Sequence, residues 1–328
     1  EAQAAREALM DPAAEAVDEL MEKYLEEMTL TDDELMTGLK AGIAAGTALR
    51  LLAGFENPDR GTIRIGGQDV TSLAPARRGI GMVFQQGALL NSVSLFENVA
   101  LPIREHTDLP EWMIERVVSM KLAQVGLLEA GHRLPMELSG GMRKRGGIAR
   151  ALALSPRLVI ADEPVSALDV SVRAQVLNLL QDLQEEFDLT YLFVAHDLSV
   201  VEHISDRVSV MYVGKLVEMA KTEDLFGNPR HPYTEALMSA VPKPDPRYRA
   251  ERIILEGDVA DPANTPSGCY FHPRCRYATD ICSQETPELR ELEDDHFVAC
   301  QQMVGQFDGH GKPTPSVSRK VQDQVLHP

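Results

Sequence analysis

The sequence predicts an α/β fold built on a parallel sheet that is covered on both faces. Two apolar, β-rich runs carry this expectation, Leu158-Val159-Ile160-Ala161 and Tyr191-Leu192-Phe193-Val194-Ala195. The stretch between them, 170–187, has helical periodicity, and strand–helix–strand is the rhythm of a doubly covered parallel sheet. Ile80-Gly81-Met82-Val83-Phe84 supplies a third strand, ending at Gln85.

The elements follow in chain order. In residues 1–38 the apolar positions Leu20, Met21, Tyr24, Leu25 and Met28 fall at helical spacing, and Thr31 with Glu34 forms a capping box, so two short helices are predicted. This segment holds twelve acidic residues against Arg6 and Lys23, the pattern of a solvated acidic helix. Leu49, Leu51 and Leu52 continue a helix that Gly54 closes, and residues 61–67 form a strand and turn. Residues 88–155 are mostly helical, with helices at 112–125 and from Gly140 to Leu154. Strands at 207–213 and 215–219 follow. After Pro229 the chain turns rich in Pro, Cys and Arg and is expected to be loop-rich, and Gly309 to Pro328 to be disordered. The predicted organisation is an acidic helical segment at 1–40, a catalytic-type α/β domain at 41–240 with a helical subdomain at about 88–150, a loop-rich Cys-containing extension at 241–308, and a tail at 309–328.

The net charge of −18 argues against a dedicated nucleic-acid binder, which would carry a basic face. No run approaches the ~18 apolar residues of a transmembrane helix. The first residues lack the basic and apolar regions of a signal peptide. The expected location is therefore the cytosol, with membrane contact through a partner.

Three short stretches carry chemistry. Leu138-Ser139-Gly140-Gly141-Met142 opens a helix whose N-terminal N–H groups and dipole suit a phosphate. Leu158 to Pro164 is an apolar strand ending in Asp162 and Glu163, placed to hold a Mg²⁺ shell and to polarise an attacking water. Ser166-Ala167-Leu168-Asp169 follows at once, and His196 ends the next strand, where an imidazole could meet a γ-phosphate.

Gln85, Leu138–Met142, Leu158–Pro164, Ser166–Asp169 and His196, in that order, resemble the Q-loop, signature, Walker B, D-loop and H-loop of ABC-transporter ATPases, over about residues 49–240. The resemblance implies a P-loop NTPase-like ABC ATPase core with ATP and Mg²⁺ as ligands. It makes Glu163 the general base, His196 the γ-phosphate sensor, and Asp162 and Gln85 Mg²⁺-associated. Ser139, Gly140 and Gly141, with Asp169 of the D-loop, would act across a head-to-tail pair, whether homo- or heterodimeric. The implied partners are integral-membrane permease subunits and a second ATPase subunit. The implied place is peripheral, on the cytoplasmic face of the inner membrane.

The blocks resemble different branches of that family. Leu51 to Glu56 is similar to polyamine- or sugar-importer ATPases, and Leu101 to Met142 to those of phospholipid-trafficking importers. From Ala161 on, His231-Pro232-Tyr233-Thr234, Pro266-Ser267-Gly268-Cys269 and Phe271-His272-Pro273-Arg274-Cys275 resemble oligopeptide and dipeptide importers, which implies peptide transport. Residues 1–47 resemble a fragment of elongation factor G (Asp18 to Glu26, then Leu30 to Glu34) without that factor's GTP-binding motifs.

A phosphate cradle of the form G-x-x-x-x-G-K-[S/T] is not present. Counting back from Gly54, Leu39 stands at the first glycine, Ala45 at the lysine and Gly46 at the Mg²⁺ hydroxyl. Gly42, Gly46 and Thr47 remain as candidate nucleotide contacts. The β layer and aromatic that the family places upstream are also missing, so the N-terminal β layer is expected to be incomplete. Weak ATP binding and little hydrolysis by the isolated chain are expected. Two further readings stand beside the importer ATPase: a degenerate subunit that donates its signature to an intact partner, and a metal-bearing module on an inert remnant.

Cys269, Cys275, Cys282 and Cys300 are the chain's four cysteines, spaced C-x₅-C-x₆-C-x₁₇-C. The spacing lacks the short knuckles of common zinc sites and suits a [4Fe–4S] cluster of structural role, or thiols that stay free. Peptide importers resemble the chain here too, and that resemblance implies the cluster.

Overall fold

The computed structural model describes residues 45–85, 87–241, 252–262, 264–293 and 295–302. The helices predicted in 1–38, the candidate Gly42, the segment resembling the elongation factor up to residue 44 and the tail at 309–328 lie outside the described residues. Two compact units divide at His196/Asp197.

The first unit holds α1 (Ala45–Ala53), β1 (Arg64–Ile65), β2 (Gln68–Asp69), β3 (Ile80–Val83), α2 (Leu95–His106), α3 (Glu111–Gln124), α4 (Gly140–Ala151), β4 (Leu158–Asp162), α5 (Val170–Phe187) and β5 (Thr190–Val194). Strands β3, β4 and β5 form a parallel sheet in that order, with Ile80 opposite Leu158 and Asp162 opposite Val194. Leu158, Val159, Ile160 and Ala161 of the central strand are all buried. A strand covered on both faces has no solvated side to alternate with, which is why its sequence is a continuous apolar run. Leu49 and Leu52 of α1, Ile63, Ile65 and Val70 around the β1–β2 hairpin, and Ile160 of β4 make one core cluster.

A buried arginine fixes the end of α1. Gly54 closes the helix at φ +82°, and its N–H donates to the Leu51 carbonyl at 3.1 Å. The Arg78 guanidinium donates to the carbonyls of Leu51 (2.7 Å), Leu52 (2.8 Å), Leu73 (3.0 Å) and Thr71 (3.0 Å). Two of these are carbonyls that the helix end leaves without intrahelical partners, and a cation there also meets the negative end of the helix dipole.

The helical layer is capped by its own side chains. Ser94 begins α2 by accepting from the Glu97 N–H at 3.2 Å, and Ser139 begins α4 by accepting from Met142 N–H at 3.3 Å. Buried Asn98 pins the loop before α2. It accepts from Leu90 N–H at 2.6 Å and donates to the carbonyls of Leu90, Val93 and Ser94.

The second unit contains α6 (Leu198–Ile204), β6 (Arg207–Tyr212), β7 (Lys215–Lys221), α7 (Thr222–Gly227), α8 (Pro232–Ser239), α9 (Asp280–Gln284), β8 (Arg290–Glu293) and β9 (His296–Val298). Its sheet is antiparallel, in the order β6-β7-β9-β8. The sequence predicts the β6–β7 hairpin but only loop around 290–298. Those residues form strands because β7 offers them an edge and buried charges tie them to it. Glu218 of β7, fully buried, accepts from His296 Nε2 at 2.7 Å and from the N–H groups of Arg230 (2.7 Å) and His231 (2.9 Å). Arg207 pairs with Asp295 at 2.8 Å. Partners 78 and 88 residues apart leave no local signal.

Tyr212, Tyr233, Phe271 and His231 form the aromatic core of this unit, with Tyr212 and Tyr233 at 4.8 Å and Tyr212 and Phe271 at 5.1 Å. Burial pushes the His231 imidazole down to about 4, against the Glu218 carboxylate, which favours the charged form. An unfolded chain takes a proton on this ring below about pH 6.5 while the folded one refuses it, so the contribution is complete above about pH 6.5 and is lost as pH falls to about 4. About 3 kcal/mol is expected to disappear across that window. His231→Asn keeps an acceptor for the Tyr233 N–H, which His231 Nδ1 now binds at 3.1 Å. Denaturation midpoints across the window should slope less in that variant than in wild type.

Candidate functional site

The site forms where three adjacent parallel strands end. Gln85 follows β3, Asp162 and Glu163 close β4, and His196 follows β5. Ligands in open α/β sheets bind outside the carboxyl ends of the strands, and the register brings these ends level.

Glu163 is the hub. Its carboxylate accepts from Gln85 Nε2 at 2.7 Å and lies 3.1 Å from His196 Nδ1. Its backbone is in the left-handed region at φ +46°, a conformation that costs a non-glycine residue about 1 kcal/mol or more. Surrounding bonds enforce it. The Glu163 N–H donates to the Val194 carbonyl at 2.9 Å, and the Glu163 carbonyl accepts from Ser166 N–H (3.1 Å), Ser166 Oγ (2.9 Å) and Lys144 Nζ (3.1 Å). The strained turn aims the carboxylate back across the strand ends.

Charge is concentrated here. Burial, and then the neighbouring Glu163 carboxylate, raise the Asp162 carboxyl above its usual range, opposed by Lys144. A divalent cation beside the pair would remove that penalty, so two hard oxygen donors with a penalised carboxylate fit Mg²⁺. The Lys144 ammonium is lowered by burial and supported by Glu163 and Asp162.

Not every candidate residue joins this group. Gly46 and Thr47 lie in the first turn of α1, where no atom of the described residues lies within 4 Å of a Cβ placed at Gly46. Ser139 is exposed at the start of α4, and Asp169 is exposed as the N-cap of α5, accepting from Val172 N–H at 3.0 Å. Gly141 has a packing reason for being glycine: a Cβ there would lie 2.5 Å from Val172 Cγ1 of α5. Gly140 is half-buried beside Leu168. The carboxylate group is open, with the His196 side chain 73 % exposed. A cavity of about 340 Å³ lies instead in the second unit, lined in part by Tyr212, Lys215, Cys269 and Phe271.

Lys144 is the functional-site residue that the sequence reading missed. Arg143-Lys144-Arg145 is a basic run of the kind that is ordinarily solvated. The available signal is its spacing: Gly141, Lys144 and Ile148 share one helical face, and all three are buried.

The four cysteines approach one another in the second unit without forming a ligand set. Cys269 N–H donates to the Cys282 carbonyl at 2.8 Å. Thr279 Oγ1 lies 3.6 Å from Cys282 Sγ and accepts from Gln302 Nε2 at 3.1 Å, while the Gln302 N–H donates to Cys300 Sγ at 3.3 Å. Burial pushes the Cys275 thiol up to about 11, with Cys269 and Cys282 adding to it. Among the described residues, however, no three His, Cys, Asp or Glu side chains are gathered closely enough to hold a metal ion. The predicted cluster site is therefore not preformed: the thiols share a neighbourhood and stand in no coordination geometry. No helix among the described residues is long and apolar enough to cross a membrane.

Comparison with known proteins places the chain. Residues 42–166 match the family model described as ABC transporter, and residues 217–282 the one described as oligopeptide/dipeptide transporter, C-terminal region. The oligopeptide transport ATP-binding protein AppF of Bacillus subtilis is 47 % identical over 272 residues, covering 80 % of this chain and 83 % of AppF. The dipeptide transport ATP-binding protein DppF of Haemophilus influenzae is 45 % identical over 278 residues, covering 80 % and 82 %. Among solved structures, the ATP-binding cassette MJ0796, a dimer in a post-hydrolysis state bound to ADP and phosphate, superposes with a TM-score of 0.50 at 28 % identity, over 54 % of this chain and 80 % of that one.

Proposed function

The chain belongs to the ATP-binding proteins of ABC transporters, in their oligopeptide and dipeptide branch, and on that premise we propose that it binds ATP to drive peptide import through membrane permease subunits. It does so as a peripheral subunit on the cytoplasmic face, paired with a second ATPase subunit. The observation that carries this reading is the Gln85–Glu163–His196 hydrogen-bonded group at three neighbouring strand ends.

In this reading Glu163 takes the proton of the attacking water, and His196 turns its exposed ring to the γ-phosphate. Asp162 and Gln85 stand beside Mg²⁺, which when bound neutralises charge on the phosphate oxygens. Ser139, Gly140 and Gly141, at the start of α4, and Asp169, at the start of α5, face the partner's nucleotide. Residues 41–240 act as the ATPase domain, 241–308 as its extension.

Nucleotide affinity is low, because Ala45 and Gly46 stand where a lysine and a Mg²⁺ hydroxyl would hold the β- and γ-phosphates. The same observation favours a second reading, in which the chain chiefly lends its signature helix to an intact partner. Calorimetric titration of the full chain with MgATP tests the proposal. Weak, Mg²⁺-dependent binding is expected. No binding would leave only the lending role, and tight binding with fast turnover would overturn the low-affinity reading.

The cysteines support a finer reading as well. The four thiols of the stretch Cys269–Cys300 share a neighbourhood, and drawing them together around a [4Fe–4S] cluster would brace the extension. Iron and sulfide analysis of the anaerobically purified chain tests this, and an iron-free protein that melts normally overturns it.

A further inference from the structure

We propose that Lys144 is a positioning residue that ties the Glu163 carboxylate to the signature helix, so that a shift of α4 is felt at the general base of the same chain. The proposal rests on the ATPase reading above for the role of Glu163, while the tie itself is visible in the bonds.

Lys144 lies on the inward face of α4, between Gly141 and Ile148, and is 7 % exposed. A lysine at a surface helix would normally carry its head to water. This one turns inward, and its ammonium donates to the carbonyls of Gln85 and Glu163. Those are the two residues whose side chains meet at 2.7 Å. A closed loop results. One ammonium holds both backbones, and the two side chains close the circuit through the Gln85 amide and the Glu163 carboxylate.

The loop includes the strained point of the site. With Glu163 at φ +46°, the direction of its carboxylate depends on what holds its peptide groups, and Lys144 is the one holder that belongs to α4. The residues that open α4, Ser139 to Gly141, lie within two turns of Lys144. A displacement of that helix start therefore moves the ammonium with it and, through the two carbonyls, both Gln85 and Glu163. Filling the space alone would not require a lysine, since an apolar chain of equal length would serve. The ammonium adds two hydrogen bonds and a charge beside the Asp162–Glu163 pair, and burial at that point is costly without them.

The test uses the full chain with Lys144→Met, which keeps length and loses the donors, and Lys144→Gln, which keeps a donor and loses the charge. Hydrogen exchange in segments 84–88 and 163–167 is read beside MgATP turnover. Lys144→Met is expected to speed exchange in both segments about tenfold while β4 and α5 exchange as in wild type. It should lower kcat about tenfold with KM unchanged, the mark of lost transition-state positioning. Lys144→Gln should restore most of both. Unchanged exchange at 84–88 and 163–167 overturns the proposal. So does faster exchange throughout the first unit, or a Gln variant no better than Met. If wild type shows no turnover, the ATPase reading fails on its own, and the exchange result still decides whether Lys144 anchors these residues. Should Lys144→Met not fold, Lys144→Gln carries the test: exchange about threefold faster than wild type and confined to the two segments supports the tie, and exchange unchanged in both, or faster throughout the first unit, overturns it.

Discussion

Replacing Arg78 by Met is expected to lower the stability of the first unit by about 4 kcal/mol, because a buried carbonyl left without a donor costs roughly 1–3 kcal/mol and those of Leu52, Thr71 and Leu73 lose theirs, while Leu51 keeps the Gly54 N–H. The methionine fills much of the volume and removes a buried charge, so the loss is smaller than the sum of the bonds. Among the described residues, the four acceptors of the Arg78 guanidinium are all backbone carbonyls. Burial accordingly lowers its pKa. Gly54 supplies a coupled test. A Cβ there would lie 2.6 Å from Arg78 Nε, so Gly54→Ala strains both the φ +82° backbone and the guanidinium. Gly54→Ala should therefore cost less in the Arg78→Met background than in wild type, a non-additivity expected of groups in contact. Chemical denaturation of the four proteins measures it. An Arg78→Met variant within about 1 kcal/mol of wild type would show that water or rearrangement replaces those bonds. Function is involved as well, since Arg78 fixes the far end of the helix whose first turn holds Gly46 and Thr47.

Rebuilding the phosphate cradle is expected to have the other large effect. Leu39→Gly, Ala44→Gly, Ala45→Lys and Gly46→Ser together restore G-x-x-x-x-G-K-S ahead of α1. The new lysine places a cation on the β/γ oxygens, and a charge-stabilising donor of this kind is worth about 100-fold or more in turnover. Adding Glu163→Gln should remove that gain, because a glutamine accepts the Gln85 and His196 contacts poorly and takes no proton from water; a general base contributes about 100-fold or more. Steady-state phosphate release by the parent, the rebuilt chain and the rebuilt chain with Glu163→Gln measures both steps. A rebuilt chain as slow as the parent would mean that the segment before α1 cannot fold into a cradle. A gain insensitive to Glu163→Gln would remove Glu163 from the role of base.

Much of the first unit was legible in the sequence. The helix at 170–187 was found at its observed bounds, and strands β3, β4 and β5 within a residue or two, because each buries an apolar pattern of its own local period. The motif residues at their ends follow for the same reason: a parallel sheet brings strand ends level, so Gln85, Asp162, Glu163 and His196 must gather on one edge. The strands at 290–298 were not legible, since charged Arg290–Glu293 becomes a strand only against β9, which itself pairs with β7, and through bonds to residues dozens of positions earlier.

The sequence by itself determined the family and the order of motifs, since both are matters of residue identity and spacing. Only the tertiary structure decided that Glu163 takes a left-handed backbone, that one lysine of a basic run turns inward to hold it, and that the four thiols come near one another. Each of these depends on which backbone groups lie opposite a side chain after packing. That is set by distant segments meeting, and no local period records it.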